Sequence, residues 1–289
     1  DFFKKIKFFT NYLFTENKIF YPKKINHTNF DVFLISNIIS DKSLKEDYIF
    51  GTLADDLNKI NIKTLSIFKN FSNIPSKKIN NKLRRPSVVL AKTVSILKEI
   101  SFLKNIYLVK KALNLLKKKI KNKEINIFLN YLNQLKNIVP IVSNIRLYYQ
   151  INALIKQYQP NTIIFTFENH AWEKFLINKI KNDFKKINKI AYQFTTITKD
   201  QFLKYSKNEF NPDYILSSGS KPYKYLKGIY RNKVKVVNFG SYRKQILLNK
   251  KSFYNKSFLL LPESPESETN DFTFMAINLA KNYNQNNSN

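Results

Sequence analysis

The sequence has no cysteine and only two histidines, His27 and His170, among its 289 residues. The absence of cysteine excludes a disulfide framework, a thiol nucleophile and a cysteine-ligated zinc site. Two histidines are too few for a histidine-rich metal site. We therefore expect a protein that needs neither disulfides nor a bound metal.

Arginine is scarce, although the chain carries a formal net charge of +30. Only five of its 50 basic residues are arginine, the residue that binds phosphates in a bidentate manner. The lysines are scattered along the chain instead of forming one run. Lys, Asn and Ile also have AT-rich codons, which explains much of the charge. We therefore do not expect a nucleic-acid partner, whereas a basic surface can bind an anionic membrane leaflet.

Long uncharged apolar runs are missing as well. None approaches the roughly 20 residues that cross a bilayer, and the opening 1–7 carries lysines inside its apolar part, unlike a signal peptide. We expect a cytoplasmic protein, with a peripheral position on the inner membrane as an open alternative. The sequence begins with Asp1 and not with Met, so we also expect the natural N-terminus to lie further upstream.

Hydrophobic residues make up 43% of the chain, which suffices for a sizeable core. The short apolar runs 31–39 and 62–68 are typical of buried parallel strands. Between them, 44–59 has apolar residues at helical spacing. The chain therefore opens as a β-α-β unit.

The stretch 86–157 has a different pattern, with apolar residues at helical spacing among lysines. Pro86 suits the beginning of a helix. The pattern predicts two or three long helices, broken near 121–125 and near Pro140. We expect an amphipathic insertion that packs on the sheet; the alternative is a face for a membrane surface or a partner.

Strands and helices alternate again after Pro160, and this rhythm predicts a Rossmann-like, doubly wound parallel sheet of the α/β class. The predicted strands are 162–167, 190–194, 214–217 and 234–239, and the predicted helices are 171–184 and 221–227.

The C-terminal part predicts a second domain. Residues 1–243 form the first domain, and the polar, basic stretch 244–256 is typical of a linker. A strand at 257–261 and a helix at 265–282 follow. One β-α unit cannot bury its own apolar face, so 257–289 is interpreted as the start of a truncated second Rossmann-like domain.

Ligands of open α/β sheets bind beyond the carboxyl ends of the strands, so polar residues there are candidates. The strongest group follows the strand 162–167. Glu168 or His170 can act as a general base towards an acceptor hydroxyl. Asn169 can bind substrate or cap the helix. Trp172 can stack on a sugar ring or lie in the core, and an inert, hydrogen-bonded His170 stays an alternative.

Three later groups offer further substrate contacts. Gln193 and Thr195, with Thr196, end the next strand and can bind a polyol. Gly219 permits a tight turn into a helix whose N-terminus can meet an anion. Arg243 follows the last strand of the first domain and can bind a phosphate or carboxylate. Ordinary strand-end, loop and surface roles remain the alternatives.

The turn after the strand 257–261 is the candidate nucleotide site. Ser264 is a plausible helix cap, and acidic residues in a first turn complement the helix dipole, which is a sufficient structural account. In the functional account, Glu263, Ser264, Ser267 and Glu268 face a nucleotide and a glutamate accepts from ribose hydroxyls. Near the first strand, Gly51 within a helical pattern indicates close approach of a backbone or a ligand.

These segments, in this order, resemble a family of bacterial surface-carbohydrate biosynthesis proteins with a GT-B-like build. The resemblance covers 30–69 and 160–282. The matching motifs are Ile49-Phe50-Gly51-Thr52-Leu53, Glu168-Asn169-x-x-Trp172-Glu173, Pro212-Asp213-x-Ile215 ending in Gly219, Gly240-x-x-Arg243 and Pro262-Glu263-x-x-x-Ser267-Glu268.

The resemblance implies a metal-independent glycosyltransferase that moves a sugar from a nucleotide sugar to a growing surface polysaccharide or lipopolysaccharide. A glycan or glycolipid acceptor would bind near 168–173 and 193–196, and the donor near 262–268. No cofactor beyond the donor is implied. The family tends to carry a histidine where this chain has Phe194. If that histidine is needed for the chemistry, either this chain is altered or inactive, or His170 takes its place.

Two alternatives belong to other functional classes. A non-catalytic binding module would use its basic helical region on nucleic acid or an anionic membrane, and its binding would weaken steeply with salt. A nucleotide-sugar epimerase with the same build would turn over a donor without any acceptor.

Overall fold

The computed structural model describes residues 29–38, 47–72, 74–80, 83, 85–91, 94, 96–133, 135–195, 197 and 208–242. The chain divides into two compact units, Asp1–Leu247 and Leu248–Asn289, and every described residue belongs to the first. The predicted linker and the predicted strand and helix of a second domain therefore lie outside the described residues.

Seven strands of the described chain form one sheet, in which every neighbouring pair is parallel. They are β1 (Val32–Ile38), β2 (Thr64–Asn70), β3 (Ser87–Val89), β4 (Thr162–Thr166), β5 (Asn188–Gln193), β6 (Tyr214–Ser217) and β7 (Lys235–Asn238). The order across the sheet is β3-β2-β1-β4-β5-β6-β7. This order confirms the predicted Rossmann-like, doubly wound fold, with the switch in winding direction between β1 and β4.

The helices of the described chain cover both faces of this sheet. They are α1 (Leu53–Lys59), α2 (Ser76–Asn80), α3 (Ile96–Lys119), α4 (Lys123–Leu132), α5 (Leu135–Tyr158), α6 (Ala171–Asp183) and α7 (Ser220–Tyr230). Helices α5, α6 and α7 share the large core cluster on one face, whereas α1 and α2 pack on the other.

The central strand β1 is buried along almost its whole length. Phe33 and Ile35 point into the core beneath α5 to α7, and Val32 and Leu34 point towards α1. Fully burying such a side chain stabilises the fold by about 1.5–3 kcal/mol. A strand covered on both faces needs apolar residues at successive positions, which is why β1 appears in the sequence as a continuous apolar run.

The helical interpretation of 86–157 is wrong at its beginning. Pro86 precedes a three-residue edge strand, β3, and its carbonyl oxygen accepts a hydrogen bond of 3.1 Å from the Ser66 amide. Proline is tolerated at the start of an edge strand because fewer ladder bonds are needed there. Three residues give too short an apolar run to be recognised within a longer helical pattern.

The predicted break near 121–125 is confirmed, because α3 ends at Lys119 and α4 begins at Lys123. The predicted break near Pro140 is wrong. Helix α5 begins at Leu135 and continues through position 140. A proline in the second turn of a 24-residue helix removes one backbone hydrogen bond near its beginning and leaves the later turns intact.

The predicted helix 44–59 is also too long, because helical structure begins only at Leu53. The preceding residues form a turn around the buried carboxylate of Asp47, which accepts the amides of Ile49 at 2.9 Å and Phe50 at 3.0 Å. Such local side-chain bonds compete with the bonds of a helix. The turn carries the chain from the carboxyl end of β1 back onto the sheet.

Gly51 closes this turn with a left-handed backbone, at a φ of +52°. A Cβ atom at this position would lie 3.3 Å from the backbone oxygen of Tyr242. The close approach that the sequence indicated is thereby confirmed, and the approaching group is a backbone. The loop after β7 thus packs directly on the loop after β1.

No helix within the described ranges contains a segment long and apolar enough to cross a bilayer. The expected packing of the helical insertion on the sheet is confirmed for α5 but is wrong for α3 and α4, which leave many large apolar side chains exposed. The exposed set is Ile100, Leu103, Tyr107, Leu108, Val109, Leu115, Leu116, Ile125 and Ile127.

Replacing Gly51 by alanine is expected to destabilise the fold by about 1–2 kcal/mol, because an L-residue resists the left-handed backbone and its Cβ crowds Tyr242. Gly228→Ala is the matched control, since that exposed glycine lies inside α7 with open space around it. The control is expected to gain about 0.5–1 kcal/mol. Urea denaturation measures both, and equal stability of Gly51→Ala and wild type would contradict the account.

Candidate functional site

The candidate site lies at the carboxyl edge of the sheet, beside the switch between β1 and β4. The loop from Phe167 to His170 connects β4 to α6, and the Phe167 amide donates to the Tyr192 carbonyl at 2.8 Å. His170 is the N-cap of α6, so the suggestion that Asn169 caps this helix is wrong. Asn169 has a φ of +65°, a left-handed conformation that asparagine tolerates better than most residues.

The carboxylate of Glu173 holds this loop in place from inside the protein. It is fully buried and accepts the Glu168 amide at 3.0 Å and the His170 amide at 2.7 Å. Burial raises the pKa of Glu173 to about 8, although the two amide bonds and the nearby charge of Lys69 oppose that shift. The sequence signal is a glutamate three residues after an N-cap, here with histidine in place of serine or threonine.

Glu168 and His170, predicted as alternative bases, lie next to each other. His170 Nε2 is 3.2 Å from Glu168 Oε2, and the side chains are 58% and 25% exposed. A carboxylate in this position orients an imidazole. The structure therefore offers an accessible carboxylate–histidine pair where the fold class binds its ligands.

Lys69, near the end of β2, is a member of the site that sequence reasoning missed. Its ammonium nitrogen lies 3.6 Å from the centre of the Trp172 ring and 4.9 Å from the centre of the Phe71 ring. Burial lowers the pKa of Lys69 to about 8, and the charges of Glu173 and Glu168 oppose the shift. A lysine at the end of an apolar run ordinarily indicates a strand end in water, so the sequence carried no signal for this role.

Trp172 is half-buried and packs against the large core cluster, so its structural alternative is partly correct. Its contact with Lys69 is a cation–π interaction, which contributes about 1–2 kcal/mol when the cation is shielded from water. The tryptophan therefore positions Lys69 beside the Glu168–His170 pair. It is also the single tryptophan of the chain.

A cavity of about 210 Å³ extends from Lys69 between the ends of β2 and β3 and helix α5. Arg146 on its wall forms an ion pair with the buried Glu99, with a shortest distance of 2.6 Å. Gln150 accepts the Ala91 amide at 2.8 Å and donates to the Ala91 carbonyl at 3.0 Å. These bonds fix the walls of the cavity and leave Lys69 as a further cationic group that faces it.

Of the predicted polyol-binding residues, Gln193 is occupied by contacts within the protein, whereas the Thr195 hydroxyl is buried without a hydrogen-bond partner among the described residues. The Gln193 carbonyl accepts from the Ser218 amide at 3.3 Å and hydroxyl at 3.1 Å, and its amide donates to the Thr195 carbonyl. Gly219 caps α7 with an extended backbone, which any residue can adopt, so the expected need for glycine is wrong. Gln193 thus ties the loops after β5 and β6 together at the rim of the site.

Phe194, at the position where the resembled family has a histidine, belongs to an aromatic cluster on the other face of the sheet. Its ring lies 6.4 Å from that of Tyr192, which stacks on Phe50 at 5.5 Å. The Tyr192 hydroxyl accepts the Tyr242 amide at 3.2 Å. An imidazole would have to be accommodated in apolar surroundings here, and the proton-accepting groups of the described site lie in the β4–α6 loop.

Several predicted site residues lie outside the described residues. The substrate candidate Arg243, Thr196 and the whole candidate nucleotide site, Glu263, Ser264, Ser267 and Glu268, belong to this group. The described part of the chain contains no group of three or more His, Asp or Glu side chains that could hold a metal ion.

Comparison with known proteins gives little similarity. No protein-family model matches the chain, and no curated protein matches it. The crystal structure of the spore cortex-lytic enzyme SleL of Bacillus megaterium aligns with 74% of this chain at 11% identity and a TM-score of 0.28. The chain spans about half of that structure, 51% of its length. A similarity at this level carries no argument about activity.

Glu173→Gln is expected to remove a pH dependence of stability. The folded protein keeps the Glu173 proton up to about pH 8, whereas the unfolded carboxyl loses it near its ordinary value of 4.5. The stabilisation is therefore complete below the unfolded pKa and is lost as the pH rises through the folded one. Between pH 5 and pH 8, wild type should lose about 3 kcal/mol relative to the variant, at 1.36 kcal/mol per pKa unit.

Urea denaturation at the two pH values measures this difference. Glu209→Gln is the control, because that side chain is exposed and its replacement should leave the pH dependence of wild type unchanged. Parallel stability curves for wild type and Glu173→Gln would show that the buried carboxyl does not carry the effect.

Proposed function

We propose that this protein is a glycosyltransferase of GT-B-like build, which moves a sugar from a nucleotide sugar to a hydroxyl of a growing bacterial surface polysaccharide or lipopolysaccharide. The observation that carries the proposal is the contact of 3.2 Å between His170 and Glu168 at the carboxyl edge of a Rossmann-like sheet. The order of sequence motifs that resembles surface-carbohydrate biosynthesis proteins also supports it.

The chemistry of transfer requires a base for the acceptor hydroxyl. In the proposed reaction, the Glu168–His170 pair takes the hydroxyl proton, and the acceptor oxygen forms a bond to the anomeric carbon of the donor. The bond from that carbon to the phosphate oxygen breaks, and the nucleotide leaves with the electron pair. The contact of 3.2 Å places the two side chains within hydrogen-bond distance, so in the proposal they act together as the base.

In this site the proposed base is exposed to solvent, whereas the glutamate that holds its loop in place is buried. Glu173 is fully buried and fixes the backbone on both sides of Asn169, whereas His170 is 58% exposed. A rigid backbone that presents an accessible base suits an acceptor arriving from solvent. The donor would be bound mainly by the candidate nucleotide residues at 262–268, and a helix N-terminus there would stabilise the leaving phosphate.

Replacing both Glu168 and His170 by glutamine is expected to lower the transfer rate by about 10²- to 10⁴-fold, the usual contribution of a general base. The donor class is first identified as the nucleotide, among CMP, UDP, GDP, ADP and TDP, that raises Tm at both low and high salt. Transfer is then measured in the full natural protein that contains this sequence. Glu209→Gln, at an exposed site away from the pair, is the matched control.

Full transfer by the double variant would overturn the assignment of the base. Donor turnover without any acceptor would instead indicate the epimerase alternative. No nucleotide response, together with salt-sensitive binding to polyanions, would indicate a basic binding module.

We also propose that helices α3 and α4 hold the enzyme against an anionic membrane surface, where a glycolipid acceptor would be found. Helix α3 has seven lysines and one glutamate, and that glutamate, Glu99, is already paired with Arg146. Exposed apolar side chains lie among these lysines, for example Leu115 and Leu116. Positive charge with exposed apolar groups suits a lipid interface, whereas nucleic acid would not require the apolar groups.

The triple variant Lys117→Glu, Lys118→Glu and Lys119→Glu is expected to lose vesicle binding. Each lysine near an anionic surface contributes about 1 kcal/mol, so binding should weaken by more than about tenfold. Co-sedimentation with phosphatidylcholine vesicles, with and without phosphatidylglycerol, measures this. Lys185→Glu with Lys186→Glu, at the amino edge of the sheet, is the control. Equal binding by both variants, or binding to RNA alone, would contradict the proposal.

A further inference from the structure

The ammonium group of Lys69 is half-buried, and the carboxyl groups of Glu173 and Glu168 act on its charge without a direct ion pair. Within the part of the chain that the structure describes, its nitrogen forms no hydrogen bond or ion pair, and its contacts are with the Trp172 and Phe71 rings. A partly desolvated cation without hydrogen-bond acceptors is unfavourable, because a missing hydrogen bond costs more free energy for a charged group than for a neutral one. A group in this state is ready to accept a ligand.

Lys69 faces the cavity of about 210 Å³ between the ends of β2 and β3 and helix α5. Three other polar residues of the lining are engaged within the protein: Arg146 with Glu99, Gln150 with Ala91 and Asn70 with Ile74 and Ser72. Pockets that enclose a whole small ligand are usually about 300–1,000 Å³. The smaller volume here fits one substituent of a larger molecule, with the rest outside.

The cavity and the proposed base share this lysine. Lys69 interacts electrostatically with Glu168, which contacts His170, and with Glu173, which holds the same loop. In the proposed reaction, a substituent bound at Lys69 and a hydroxyl presented to the Glu168–His170 pair would belong to one acceptor molecule. The arrangement provides two points of attachment for one acceptor.

We propose that Lys69 binds an anionic substituent, a carboxylate or a phosphate, of the acceptor sugar in the cavity beside α5. The inference rests on the proposed function and adds the class of acceptor to it. A neutral hydroxyl can also accept from an ammonium group, but only an anion compensates the charge of this half-buried group, and such charge-assisted bonds are about twice as strong. Acidic sugars should therefore be preferred over neutral ones.

The charges of the carboxyl groups around Lys69 also favour an anionic ligand. Because burial raises the pKa of Glu173 to about 8, this carboxyl group is largely protonated near pH 7, and its opposing charge compensates Lys69 only in part. The charged neighbour on the loop is Glu168, whose carboxylate faces the His170 ring. Lys69 thus keeps a positive charge near pH 7 that an incoming anion can use.

Trp172 allows a direct test, because it is the single tryptophan and its ring lies against the Lys69 ammonium. Tryptophan emission is titrated with glucuronate, glucose 6-phosphate, glucose, acetate and inorganic phosphate. We expect a saturable change with at least one of the two charged sugars and none with glucose at the same concentration. Comparison of glucuronate with glucose 6-phosphate distinguishes a carboxylate from a phosphate substituent.

Lys69→Met keeps the apolar stem and removes the charge, and it should weaken binding of the charged sugar by about 10- to 100-fold. Lys63→Met is the control, because this exposed lysine directly precedes the same strand and should bind as wild type does. Equal affinity for glucose and the charged sugars, no response to any probe, or unchanged affinity in Lys69→Met would overturn the inference.

A second measurement on wild type keeps the test decisive if Lys69→Met does not fold. Affinity for glucuronate should fall between pH 7 and pH 9.5, as Lys69 loses its proton and Glu173 loses its own, while the sugar carboxylate stays ionised. Constant affinity over this range would also overturn the inference. Transfer that needs Glu168 and His170 but uses neutral acceptors would refute this inference alone and leave the proposed function standing.

Discussion

The candidate site depends on one buried carboxyl group. Glu173 accepts the amides of Glu168 and His170, and these bonds fix the backbone on both sides of the left-handed turn at Asn169. The same group lies close enough to Lys69 to affect its proton affinity. The single side chain of Glu173 therefore couples the backbone geometry of the loop, the contact between the two proposed bases and the protonation of Lys69.

The sequence predicted the strands after residue 160 well. The buried strands β4 and β5 contain the apolar runs that a covered sheet needs, whereas β6 and β7 are only partly buried. Strand β3 could not be predicted, since three residues after Pro86 give no run. Helix α1 was predicted too long because the carboxylate of Asp47 replaces helical bonds by local ones. The apolar residues of α3 have helical spacing, but spacing alone does not show which faces a neighbour covers.

The site was predictable only where chemistry and position coincide in the sequence. Glu168 and His170 follow a strand directly, so the rule for open sheets locates them. Lys69 directly follows the predicted strand 62–68, so the same rule marks its position. Its role comes from the Trp172 ring, which approaches it from another strand–helix unit, and the sequence does not show this contact. Gln193 was assigned to a ligand, whereas the structure engages its amide with Ser218 and Thr195, a choice between partners that spacing cannot reveal.

The pairing of β1 with β4 also has a consequence for folding. Val32 lies opposite Thr162, 130 positions later, so the middle of the sheet closes only after a long chain segment has been brought back. Pairings this distant in sequence form slowly, because the entropy of loop closure is lost before any contact compensates it. The edge that would receive the acceptor is thus completed in the same late step that joins the two halves of the sheet, and until then both central strands expose unpaired backbone to aggregation.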